Sequence, residues 1–474
     1  MRISLGEPPL NQRWGIGFYA FYTLKDEKLM YALNITLHRV KQVIGLRSLK
    51  TSKLALPAYV KASLLFSSSN VFIRIVGLFA QILIMKLADV NSYNQVIQAI
   101  VIQSLIAVIF TWGIESEIIL QLNKYGKVAS SSLKLYATGI STTVIISLFL
   151  SAFDAVPNWI LLSIISGAMS GCITGFIMPV LRFFRAANYA LALFSIGALC
   201  GLLMKFFLIK NSTSVIVSWT LTELCISSMT VLFAARKLGK LQMFEKGISI
   251  NRNLVILNLL SLLAFWFVLQ FDKLYATHFL DPAQAASYAI LVTLCNALLA
   301  TFVEYARSSD LQFLKVNDKS AVIKNVIRRN LIVVPCLLII FEVVLLEFGR
   351  VIIPESYAQF LSKSPLVILG IEFWLLGVAL SNIRKFYYKD LTKLSLPILV
   401  ATIFGFFFIS FITILDKTSW YIYFFMLISL SYFVTSVLLS KVPFGQIFQY
   451  ATKRELLMVF LQQAVLIGFF VSSI

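Results

Sequence analysis

LAFWFVLQFDKLYATHFLDPAQAASY, residues 263–288, decides the reading of this chain. It opens as a membrane helix and then sets an acid, Asp272, beside a base, Lys273, within the apolar run. A helix needs about 20 apolar residues to cross the hydrocarbon core. An ionised side chain at mid-membrane costs at least about 2.5–3.5 kcal/mol, so it normally faces protein or water rather than lipid.

Working outward, the same apolar character recurs to the last residue. Of 474 residues, 59% are hydrophobic and 13% charged, and the mean hydropathy is +0.87. Soluble domains run near 45–50% apolar and about 25% charged, so the composition is that of an integral membrane protein. Apolar runs predict twelve spans near 62–85, 92–113, 131–153, 159–181, 189–208, 214–235, 254–275, 285–305, 331–348, 366–382, 396–415 and 420–440, with a thirteenth run at 455–474. A membrane barrel alternates apolar and polar residues; these continuous runs do not. The expected fold class is an all-α polytopic membrane protein.

The net charge of +20 could indicate a nucleic-acid partner, but its distribution indicates topology instead. Lys and Arg fall in alternate loops, as the positive-inside rule requires, and about 33 of the 41 lie on one side. That side holds the N-terminal arm, Arg182 and Arg185, 236–252, 307–329, 384–393 and 441–454; the other holds Lys86, Lys205, Lys210, Lys273, Arg350, Lys363 and Lys417. The asymmetry predicts a cytoplasmic N-terminus and contact with anionic membrane lipids, with no nucleic acid. Cys172, Cys200, Cys225, Cys295 and Cys336 all fall inside predicted spans without metal spacing, and read as small apolar core residues. With only His38 and His278 present, no metal site and no catalytic residue is expected.

Residues 1–53 form a polar, basic arm in which Leu29, Leu33, Leu37, Val40 and Ile44 keep helical spacing, as in an amphipathic helix lying on the cytoplasmic leaflet. Met30 is an alternative start. After the arm, a six-helix lobe is expected over 54–235, a cytoplasmic linker over 236–253, a second six-helix lobe over 254–440 and a hydrophobic helix over 441–474. A weak duplication supports the two lobes: Asp89 precedes Ser92-Tyr93 as Asp281 precedes Ser287-Tyr288, and RFFR at 182–185 answers RKFYYK at 384–389. With an even number of helices per lobe, the repeats would be parallel and would flank a central cavity. Pro179 and Pro335 lie inside spans and predict kinks; Pro397 is expected at a span's start, where proline is tolerated.

FIRIVGLFAQILIMKLADVNSYNQVIQAI (72–100), with Arg74 in the helix and an acidic, tyrosine-containing turn after it, and QFDKLYATHFLDPAQAASYAI (270–290) carry a resemblance. The chain resembles the Wzx-type flippases of bacterial polysaccharide assembly, in the multidrug/oligosaccharidyl-lipid/polysaccharide exporter superfamily. Lys273 stands where that family commonly has arginine; the long arm and the thirteenth run also depart from its twelve-span form. The resemblance implies alternating-access movement of an undecaprenyl-diphosphate-linked oligosaccharide from the cytoplasmic to the periplasmic leaflet of the inner membrane. The cargo would be an O-antigen or capsule/exopolysaccharide repeat unit. It implies a transporter without a cofactor rather than an enzyme, working beside a polysaccharide polymerase and chain-length machinery, with ion-gradient coupling.

The charged residues each carry two readings. Arg74 either faces the cavity and attracts the lipid diphosphate, to which its guanidinium fork is suited, or pairs with a carboxylate. Adjacent helical residues point about 100° apart, so one of Asp272 and Lys273 is expected at the cavity and the other against a neighbouring helix. Lys273 could instead snorkel to the outer interface. Arg182 and Arg185 anchor topology or form a phosphate gate. Glu223, Glu342 and Glu372, the deepest acids, carry a coupling ion or neutralise an arginine. Competing readings are a drug/cation antiporter of the same superfamily, which should favour acidic cavity residues for cationic substrates and against which Arg74 and Lys273 weigh, and a membrane polysaccharide polymerase, which usually needs an extramembrane loop. The outer loops here are short, the longest being about 349–365.

Overall fold

In the computed structural model the described residues run from 58 to 473, apart from 184–186, 211–213, 240–243, 295, 298–326, 329, 337, 341–363, 388–391, 415–420 and 439–450. The basic arm, Arg185 and Glu342 lie outside the described residues. Tyr59–Ile474 forms one compact unit. Its described residues are helices and their connections, save for a pairing of two two-residue strands.

The first half of the chain contributes α1 (Ala58–Leu87), α2 (Val90–Phe110), α3 (Glu115–Tyr125), α4 (Ser130–Ala152), α5 (Asn158–Cys172), α6 (Met178–Phe183), α7 (Ala187–Lys210) and α8 (Val215–Gly239). The second half contributes α9 (Arg252–Trp266), α10 (Asp272–Phe279), α11 (Pro282–Leu294), α12 (Asn330–Ile340), α13 (Ser364–Tyr387), α14 (Thr392–Ile414), α15 (Tyr421–Leu438) and α16 (Lys453–Ser473). Among the described residues, seven helices are long and apolar enough to cross a membrane. The chain is a multi-pass membrane protein, as its composition requires. Large apolar side chains such as Phe149, Leu203, Phe207 and Phe407 stay exposed, which in lipid carries no penalty.

Two spans change pitch. α5 passes into α6 through a π-turn, Ile173–Ile177, closed by Met178 N–H donating to the Ile173 carbonyl. Pro179 follows at once: it has no N–H to donate and its ring collides with the carbonyl four residues back, so the wider turn relieves both and realises the expected distortion. The second π-turn, Phe267–Phe271, joins α9 to α10 and contains no proline. There the side-chain amide of Asn296 donates to the Leu269 carbonyl at 2.8 Å, so the neighbouring helix satisfies the backbone that the turn frees. Pro397 opens the membrane span 397–414, as expected. α14 itself begins earlier, at Thr392, which places the proline inside the helix.

α2 is packed on two sides. Gly167 and Gly171 of α5 bring the two backbones together: a Cβ on either would stand 2.6 Å from the Gln103 carbonyl oxygen or 2.5 Å from that of Ala107. On its other side α2 runs antiparallel to α9–α10 and is bonded to that strand of the fold along its whole length. Asn94 donates to the Pro282 carbonyl (2.9 Å), Gln98 to Thr277 Oγ1 (3.4 Å), Trp266 Nε1 to Ser104 Oγ (2.9 Å) and Asn258 to the Gly113 carbonyl (3.2 Å). The Asn94 bond joins the two turns that carry the duplicated Asp and Ser-Tyr marks. Tyr93 and Tyr288 of those marks are both fully buried.

The predicted linker is tied back onto the first half. β1 (Val128–Ala129) pairs in parallel with β2 (Phe244–Glu245), with Val128 opposite Phe244. Gln121 of α3 braces the crossing, accepting from the Ala129 N–H at 3.0 Å and donating to the Ser249 carbonyl at 3.3 Å.

Candidate functional site

The first half encloses a cavity of about 200 Å³ between α1, α5, α7 and α8. Small residues make it: Gly77 and Ala80 on α1, and Gly197 and Gly201 on α7. A side chain at Gly77 would meet nothing within 4 Å. Lys205 and Glu223 are the charged residues of its wall, and they are ion-paired. The lysine side chain is 7% exposed and the glutamate 30%, so the acid is the partner nearer the open space. The ammonium also lies 3.5 Å from the ring centre of Trp219, a cation–π contact that strengthens when water is excluded. Ser227 donates to the Glu223 backbone carbonyl at 2.6 Å, tightening the turn that carries the acid.

The charge distribution along the sequence groups Lys205 with the loop cations of one side. Its side chain instead points into the fold, toward a glutamate 18 residues later. The signal available in LLMKFFLIK was a cation two turns inside an apolar run. Naming its partner required the α7–α8 packing.

Arg74 sits on α1 and is exposed. Helical periodicity puts it about 100° from Ile73, and Ile73, Val76, Gly77 and Ala80 are the α1 residues of the cavity wall. It also lies off the face carrying exposed Phe72, Ile75 and Phe79. Arg74 shares its side of the helix with Gln81, seven residues on. The guanidinium therefore flanks the cavity rather than lining it. Arg182 falls in the short helix α6 after the π-turn.

Asp272 and Lys273 are both buried, at 0% and 4% exposure. Asp272 Oδ2 accepts from the Tyr288 hydroxyl at 2.6 Å and Oδ1 from the Lys273 N–H at 2.9 Å. Lys273 Nζ donates to Gln270 Oε1 at 3.0 Å. The π-turn delivers the pair into the packed junction of α10 and α11, where Ala276, Ala285 and Ala286 are fully buried. Glu372 on α13 is buried too and accepts from Gln463 of α16. Gln463 and its neighbour Gln462 are silent in the sequence because a pair of glutamines in an apolar run has no chemical signature. Cys172 is buried, whereas Cys200 is exposed. Among the described residues no group of His, Cys, Asp and Glu could hold a metal ion in the usual way.

No protein-family model matches the chain, and no curated protein matches its sequence. Solved structures do. A MOP superfamily transporter from Pyrococcus furiosus, described as having a binding pocket of reverse polarity, aligns with a TM-score of 0.52 at 14% identity, over 88% of this chain and 99% of its own. The chain has the fold of the MOP superfamily. A multidrug resistance MATE family transporter in an outward-facing conformation gives 0.51 at 13% identity, over 88% of this chain and 99% of that one. The eukaryotic MATE transporter AtDTX14 gives 0.52 at 14%, over 86% and 100%. The fold of about twelve membrane helices is therefore shared across nearly the whole length of each of these proteins.

Proposed function

We propose that the chain is an inner-membrane flippase that carries an undecaprenyl-diphosphate-linked oligosaccharide from the cytoplasmic to the periplasmic leaflet. The observation that supports this reading is the sign of charge around the first-half cavity. Arg74 flanks that cavity on α1, and the charged residues of its described wall are Lys205 and Glu223. With Glu223 neutralised by Lys205, the described cavity wall carries no net negative charge. A diphosphate needs positive potential because burying its charge uncompensated is prohibitive. A cationic drug would need the opposite. That one superfamily member is described as having a pocket of reverse polarity fits a fold whose cargo charge is set by a few side chains.

The cavity also bounds what goes where. About 200 Å³ is smaller than a typical ligand pocket of about 300–1,000 Å³. It suits a headgroup fragment, and the glycan must travel in the larger space between the two lobes that the duplication implies. The four hydrogen bonds along the seam between α2 with its following turn and α9–α11 support that seam as the boundary about which such lobes turn. A drug/cation antiporter is the second reading, favoured by Glu372, which among the described residues is buried against the amides of α16.

The test is surface glycan, measured by gel and normalised to membrane protein level, in a strain lacking its own copy. Arg74→Ala should nearly abolish export with the protein still inserted. Arg74→Lys should restore it only in part, since charge survives without the bidentate fork. Normal glycan from Arg74→Ala, together with drug resistance lost on Glu372→Gln, would move the antiporter ahead.

A further inference from the structure

On the side that the charge distribution makes cytoplasmic, cations are held in two ways. Lys127 pairs with Glu245 at 3.3 Å, and Arg328 with Glu455 at 2.8 Å. Arg236 and Lys237, in the last turn of α8, lie against aromatic rings instead. The Arg236 guanidinium stands 5.9 Å from the ring centre of Phe233, and the Lys237 ammonium 5.6 Å from that of Tyr189. Among the described residues neither has a carboxylate within ion-pair distance. A helix C-terminus favours cations, but it does not require rings to hold them.

The two rings come from helices that are joined at this end. The Tyr189 hydroxyl of α7 donates to the Phe233 carbonyl of α8 at 2.9 Å, which draws both rings and both cations into one cluster. A cation–π contact is worth about 0.5–1 kcal/mol at an exposed site. That is enough to set the direction of a side chain and too little to neutralise its charge, and both cations keep N–H groups to donate. The same helix provides for an apolar ligand tail. Met229, Leu232 and Phe233 are exposed and share one face with Arg236. Met229 lies about 10 Å along the axis from Arg236, toward the membrane centre. An apolar track therefore ends at two cations that no acid neutralises. Basic sites between membrane helices at the cytoplasmic surface suit acidic lipid headgroups, whereas a free phosphate would use the cations and leave the track unused. Arg236 also stands about 20 Å along α8 from Glu223, so the cluster is separate from the ion pair of the cavity.

We propose that Arg236 and Lys237, set in place by Phe233 and Tyr189, bind the headgroup of an anionic phospholipid of the cytoplasmic leaflet, with an acyl chain along Leu232 and Met229. The site depends on neither the sugar cargo nor the first-half cavity.

The full-length protein, purified in detergent, is melted with added phosphatidylglycerol or with phosphatidylcholine of the same acyl chains. Phosphatidylglycerol should raise the midpoint saturably, by at least about 2 °C over phosphatidylcholine. Arg236→Gln and Lys237→Gln should each reduce that difference, and together abolish it. Lys127→Gln, which removes a cation already paired with an acid, should leave it intact. Should the double variant fail to fold, native mass spectrometry of Arg236→Gln alone decides: fewer retained phosphatidylglycerol molecules than wild type support the site, and equal numbers overturn it. Equal midpoints in the two lipids also overturn it. So does an equal loss from Lys127→Gln, which would assign the effect to surface charge in general. The same rise with inorganic phosphate alone would overturn the lipid in favour of a free anion.

Discussion

Two consecutive helices of the first half are held in opposite ways. α2 is fixed on both sides, with its backbone in contact with the glycines of α5, three hydrogen bonds tying it to the second half at Asn94, Gln98 and Ser104, and a fourth at Gly113 in the turn after it. α1 buries Ile84 and Met85 near its end, but its middle lies over open space at Gly77 and carries the exposed Arg74. Close packing makes a helix a post. A cavity beneath a helix removes the contacts that would hold it, because dispersion forces fall away within an ångström of contact distance. α2 is thus the element held by its neighbours, and α1 the one with open space beneath its middle.

The strongest way to break that contrast is to damage the post. Gly113 has φ +64°, and a Cβ there would run into the backbone of Val255 and Leu259. Gly113→Ala combines backbone strain with overpacking, so about 4 kcal/mol of stability should be lost. The melting midpoint of purified protein should drop accordingly, and a midpoint within a degree of wild type would mean that the α2–α9 contact is not structural.

Next in size is the cavity's ion pair. Removing the buried partner leaves a carboxylate without its counter-charge, which costs about 3–5 kcal/mol when both groups are buried. Glu223 is 30% exposed and retains some water, so Lys205→Met should cost about 2 kcal/mol after that screening. The double change Lys205→Met with Glu223→Leu should recover most of the loss, because apolar replacements often match a buried pair. Additive losses in this double-mutant cycle would mean that the two residues are not coupled.

These two sites differ in how far the sequence reveals them. The spans were legible because a continuous apolar window fixes a membrane helix locally. The predicted 131–153 and 159–181 correspond to α4, and to α5 with its continuation into α6. The buried charges were legible as exceptions within such windows, which is how Glu223, Asp272, Lys273 and Glu372 stood out. Their partners were not. Tyr288 lies 16 residues from Asp272, Gln463 lies 91 from Glu372, and Asn94 reaches Pro282 across 188. A single serine or asparagine in an apolar run reads as incidental until packing shows what it bonds. The π-turn before Asp272 was equally hidden, since Asn296, on another helix, supplies the group that stabilises it.

Gly77 sharpens the contrast from the loose side. A methyl group there meets nothing within 4 Å, while alanine is the better helix former by up to about 1 kcal/mol. Gly77→Ala should therefore stabilise the protein by about 0.5 kcal/mol. If α1 bends at Gly77 during transport, glycan export should slow even as the midpoint rises. Loss of stability would show that α1 sits closer to its neighbours than the cavity implies.

The smallest effect lies in the turn joining the two helices. Asp89 caps α2: Oδ1 accepts from the Ser92 N–H and Oδ2 from its hydroxyl, each at 2.8 Å. Those bonds, the backbone one foremost, hold its carboxyl below the ordinary carboxylate range. A depressed folded-state pKa stabilises the protein fully above the ordinary value of about 4, and the contribution is lost as the pH falls through the depressed value. Asparagine keeps the capping geometry but not the charge at the helix N-terminus. Asp89→Asn should then cost about 0.5 kcal/mol at pH 7, and the two proteins should converge as the pH is lowered from 5 toward 3. Melting curves across that range check it. A difference that persists undiminished at pH 3 would assign the effect to the altered side-chain bonds rather than to the charge, and the turn would then hold α1 to α2 by geometry alone.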